Sequence, residues 1–181
     1  MNKKILWITR TAVLIALLIV LQWTTSMLGN QLITGSVVNL MLIVSVMTCG
    51  LSTGISVAAV SNTMAYFLGI GPQQFWLIPF ITAGNIVFVL LWHYVGNWKG
   101  GRKLIPQVIA LIAAAIAKFL VLYVGVVQIA VPLLLGLPEK QASVISGMFS
   151  FLQLFTATIG GVLAIVLLPP LKKAIKTKPS A

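Results

Sequence analysis

From residue 5 to about residue 28 the chain is apolar apart from Arg10, Gln22 and a few hydroxyls, and five further runs of the same kind follow. A helix needs roughly 20 such residues to cross the hydrocarbon core of a bilayer, so runs of this length constrain the fold more than any other feature. With 60% hydrophobic and only 7% charged residues, the chain falls outside the soluble, disordered and disulfide-scaffold classes. Cut at Gly, Pro and charge clusters, the runs occupy about 5–28, 37–50, 54–69, 76–96, 104–131 and 142–168, followed by a basic tail over 169–181. They form a single membrane domain over residues 1–181. The opening residues 1–4 precede an apolar run too long for a signal peptide and without a small-residue cleavage site, so this run reads as a retained span.

The net charge of +11 could suggest nucleic-acid binding. Its placement points instead to topology. Lys3, Lys4 and Arg10 open the first span, Lys99, Arg102 and Lys103 lie between the fourth and fifth, and Lys172, Lys173, Lys176 and Lys178 follow the sixth. Six spans bring all ten to one side, while the opposite loops, 29–36, 70–75 and 132–141, carry only Lys140 and the sole acid, Glu139. The positive-inside rule therefore predicts an all-α bundle of six transmembrane helices with N- and C-termini cytoplasmic. Trp7 and Trp98 fall at the inner level and Trp23 and Trp76 at the outer, as interface anchors do; Trp92 lies about a turn deeper than an ideal inner anchor.

No GxxxxGK[ST] loop is present, so the chain cannot drive transport by hydrolysing ATP itself. A proton- or cation-coupled carrier places carboxylates at membrane depth, whereas Glu139 falls in an outside loop, which disfavours self-powered transport. One His, one Cys and one Glu in separate segments supply neither an acid–base pair nor a metal site, so no catalytic residue, metal ligand or cofactor is expected. His93 reads as an interfacial histidine.

Lys118 stands apart. It lies about 21 Å along the fifth span, and a cation there must face a wet cavity or a partner, or snorkel toward the outer interface. The cavity-facing reading is preferred. Asn39, Asn62, Asn85 and Gln153 also lie at membrane depth and together imply a polar interior, although interhelical hydrogen bonds account for many such residues. Tyr123 and Gln128 lie nearer the outside. Ala12 and Ala16, at four-residue spacing one turn from the inner end of the first span, form a small-residue face on which another membrane subunit could dock.

About 180 residues, six spans, cytoplasmic ends, a first helix opening Arg10-Thr11-Ala12-Val13-Leu14-Ile15-Ala16 and a substantial loop after it together resemble the substrate-binding S component of an energy-coupling factor (ECF) vitamin transporter. The resemblance implies that Ala12 and Ala16 contact a membrane T component and that two cytoplasmic ATPases supply energy. It also implies that the vitamin binds toward the outside, under the loop between the first two helices, and that the whole component topples to deliver it. By position this nominates Asn30, Gln31, Asn85, Lys118, Tyr123 and Gln153 as substrate-binding residues. Segments 137–141 and 147–150 look similar to a Gram-positive subgroup associated with cobalamin, implying a plasma-membrane importer of that ligand. Lys118 would instead suit a carboxylate such as that of pantothenate. A self-sufficient carrier and a membrane-embedded enzyme or assembly protein are the other classes open to such a chain.

Overall fold

The computed structural model describes residues 2–98 and 104–176, and these are helical throughout, with short connections. Helix α1 spans Lys3–Ser26, α2 Gln31–Cys49, α3 Leu51–Phe67, α4 Ile78–Tyr94, α5 Leu104–Leu122, α6 Glu139–Met148 and α7 Phe151–Lys176. A single 3-10 turn, Phe75–Leu77, leads into α4, and α5 runs on as a π-helical stretch, Tyr123–Leu135. Among the described residues five segments are long and apolar enough to cross a membrane: Lys3–Ser26, Gln31–Cys49, Phe75–Tyr94, Leu104–Leu135 and Glu139–Ile175. The chain is thus a multi-pass membrane protein. The remaining helix, α3, has 17 residues and packs against α1, α2 and α4.

Several boundaries differ from those expected, among them the segment 132–141, read as a loop, which is helical to Leu135 and again from Glu139. The segment 29–36, read as a loop, is mostly helix: α2 begins at Gln31, and Asn30 caps it by accepting the Leu32 amide at 2.9 Å. Polar residues that resemble a loop are accommodated inside the helix, since Ser36 Oγ donates to Leu32 O at 2.7 Å. The turn between α1 and α2 is correspondingly short. The sixth span is broken at Phe149 and Ser150, and Gln153 Nε2 donates to the Met148 carbonyl at 3.0 Å, a group the break leaves without a helical donor. Finally, the tail expected from 169 is helical to Lys176. Pro169 and Pro170 remove two backbone donors on an exposed turn. Of the basic residues used to orient the chain, Lys99, Arg102, Lys103 and Lys178 lie outside the described residues.

Helix α2 sits at the centre, packed on α1, α3, α4 and most extensively on α7. That last approach requires Gly160, where a Cβ would lie 2.6 Å from the Ser36 carbonyl oxygen and 2.9 Å from the Leu40 amide nitrogen. The sharp α2–α3 connection turns on Gly50, at φ 93°, which only glycine adopts readily. The main apolar core holds Leu18, Leu42, Val46, Val57, Phe88 and Ala164; a second, smaller cluster gathers Leu77, Leu122, Val126, Ile145 and Phe149. Trp92 belongs to the first. It is fully buried with its ring against Phe88, a core residue and not an interface anchor, while Trp7, Trp23, Trp76 and Trp98 are exposed as anchors would be.

Candidate functional site

Leu77, Leu122 and Phe149 of the smaller cluster also form part of the wall of a cavity of about 300 Å³. Around it stand the end of α1 with Gln22 and Ser26, the α1–α2 turn with Gly29 and Asn30, and the start of α2 with Gln31, Thr34 and Val38. Asn62 and Tyr66 of α3, Gln74 before α4, Asn85 of α4, Lys118 of α5 and Gln153 beyond the α6–α7 break complete it. Two departures from one continuous helix therefore serve this site: the early start of α2 and the break after Met148 both bring polar groups to its wall.

Two hydrogen-bond chains tie Lys118, Asn62 and Asn85 of the wall to their neighbours. In the first, Lys118 Nζ donates to Asn39 Oδ1 at 2.6 Å, Asn39 Nδ2 donates to Thr156 Oγ1 at 3.3 Å, and Thr156 Oγ1 donates to the Gln153 carbonyl at 3.1 Å. Lys118 also lies 5.3 Å from the centre of the Phe88 ring, whose electron-rich face attracts a cation. Helices α2, α5 and α7 are thus joined through one buried lysine side chain and its Asn39 partner. In the second chain Asn62 Nδ2 donates to the Ala58 carbonyl at 2.9 Å and to Thr82 Oγ1 at 3.3 Å, and Asn85 Nδ2 donates to Asn62 Oδ1 at 3.2 Å. Asn85 Oδ1 is buried and has no partner among the described residues.

The fold brings Asn30, Gln31, Asn85, Lys118 and Gln153 to this one wall. Asn30 spends its side-chain oxygen on the cap of α2. Tyr123 is not on the wall: it stacks on Phe119 at 5.6 Å, and Phe119 in turn stacks on Phe151 at 5.5 Å, tying α5 to α7. Sequence reasoning passed over Gln22, Tyr66 and Gln74 as site residues. Gln22 carried the available signal, a carboxamide within an otherwise apolar run, buried at 6% exposure with its Oε1 unpartnered among the described residues. Ala12 and Ala16 are far from this wall in character: both are exposed, on the side of α1 facing away from its buried residues Thr11, Leu18 and Gln22.

A bundle of membrane-spanning helices encloses a cavity whose wall mixes amide and hydroxyl side chains with apolar ones and includes a buried lysine, the general make-up of a small-molecule site. Residues 7–172 match the family model of the ECF transporter, substrate-specific component, and the chain belongs to that family. No curated relative and no solved structure matches the chain.

Proposed function

We propose that the chain is the vitamin-binding and translocating S component of an ECF-type importer, with both termini cytoplasmic and the cavity opening toward the outside. The observation that carries this reading is the cavity itself, lined by amide side chains among apolar ones and framed by the α1–α2 turn and the segment before α4, with Lys118 held in its wall. Energy comes from two cytoplasmic ATPases through a membrane T component. The exposed Ala12 and Ala16 support α1 as the docking surface, since small side chains let a second helix approach closely. The resemblance to a Gram-positive subgroup favours the plasma membrane of such a cell.

Between cobalamin and a compact carboxylate of pantothenate's size, the cavity volume favours the carboxylate. A corrinoid with its amide arms is larger than this cavity of about 300 Å³ and would extend beyond it. A self-sufficient carrier is disfavoured because the only acid, Glu139, is exposed at the start of α6 and none lines the cavity. The test is retrieval of the tagged chain from its own membrane. A T component and ATPases should accompany it, and Ala12→Trp with Ala16→Trp should remove them while leaving the chain folded. Retrieval of the chain alone, or unchanged assembly of the double variant, contradicts the reading.

A further inference from the structure

We propose that the molecule held in the cavity is a compact anion that also carries an N–H or O–H donor, its negative group taken by Lys118 and its donor by Asn85. This deepens the S-component reading and rests on it.

Lys118 is 3% exposed, and the chain's single acid is exposed elsewhere, at the start of α6. Its described partners are one amide oxygen and one aromatic ring. An ammonium group has three N–H donors, and Asn39 takes one, while the residue also lines the cavity. Burying a cation against neutral partners is costly, and an anion on the cavity side offsets that cost where no protein carboxylate does.

The donor requirement follows from the orientation of Asn85. The Ala58 carbonyl can only accept, so Asn62 must turn its Nδ2 toward it and its Oδ1 toward Asn85. Asn85 therefore presents Nδ2 to Asn62, leaving its oxygen as the free end. At 1% exposure, with Oδ1 unpartnered among the described residues, that oxygen is an acceptor built into the wall and matched by a donor from the bound molecule. Gln22 and Gln74 line the same cavity and each has a buried Oε1 unpartnered among the described residues, with no hydrogen bond orienting either amide. At about 300 Å³ the cavity is at the lower end of the range of small-molecule sites.

The experiment measures binding to the purified full-length chain with a fixed set of probes: pantothenate and its neutral alcohol pantothenol, biotin and biotinamide, nicotinate as an acid without a donor, thiamin as a cation, and cobalamin. Pantothenate or biotin should bind at least tenfold more tightly than its neutral counterpart and than nicotinate. Lys118→Met should abolish that preference and Lys118→Arg retain it. Gln22→Met breaks no side-chain hydrogen bond of the described structure, so it should fold normally and weaken the acid several-fold. Tightest binding of a neutral probe, nicotinate, thiamin or cobalamin overturns the proposal, as does an acid preference that survives Lys118→Met. Failure of both donor-bearing acids to bind, while T component and ATPases are still retrieved with the chain, overturns this inference alone; loss of that retrieval overturns the reading beneath it.

Discussion

Helices α1 and α2 are neighbours of nearly equal mean hydropathy, 2.2 and 2.0 over their most apolar windows, yet 17% of that window is buried in α1 and 56% in α2. In water the more apolar helix would take the interior. In a bilayer lipid is as apolar as a leucine core, and position is set by close packing and by the need to satisfy polar groups. Helix α2 carries Thr34, Ser36, Asn39 and Ser45, all buried, and receives Gly160 of α7 against its backbone. Helix α1 turns Thr11, Leu18 and Gln22 inward, Thr11 sharing a 3.1 Å hydroxyl contact with Thr53, and leaves Ala12, Val13, Ala16, Leu17 and Val20 exposed.

The contrast breaks most readily at the α2–α7 contact. Gly160→Leu would drive a side chain into the backbone of α2, so the expected loss is about 3 kcal/mol or more, read as failure to purify a folded chain or a large drop in unfolding temperature in detergent. Next comes Leu42→Ala in α2, fully buried, expected to cost about 2–3 kcal/mol in the same measurement. Lys118→Met should alter stability less than either, because Asn39 loses a donor but a buried amine, costly to desolvate, is also removed, while binding in the cavity falls. Smallest of all is Leu17→Ala on the exposed face of α1, with a change below about 0.5 kcal/mol. Equal effects of Leu17→Ala and Leu42→Ala would erase the distinction between the two helices.

Helix existence is legible in the sequence because apolar runs long enough to span a bilayer have few other uses, and five of the six expected spans meet that requirement in the structure. Boundaries are less legible near the cavity. Gln31 and Thr34 look like loop residues for the same reason that they line a polar site, so periodicity starts α2 at 37 where the helix begins at 31. Lys118 stands out as a lone cation in an apolar helix. Asn39 stands out as a carboxamide at membrane depth, but its pairing with Lys118 does not, because the two lie 79 residues apart and periodicity carries no information about such pairings. Tyr123, nominated by position through the resemblance, stacks on Phe119, a contact that helical periodicity does not announce. Trp92 shows the converse: an aromatic residue near a span's end invites comparison with an interface anchor, whereas the turn beyond it leaves the side chain in the core.

The central claim is that the cavity between the α1–α2 turn and Lys118 holds one small molecule. Native mass spectrometry of the full chain released from its own membrane tests it most directly, alongside Ala65→Trp, which places a large ring at a buried position on the cavity wall. The wild-type chain should carry one small molecule per protein, and the variant, folded by its unfolding temperature, should carry none. The same molecule on both chains would contradict the account.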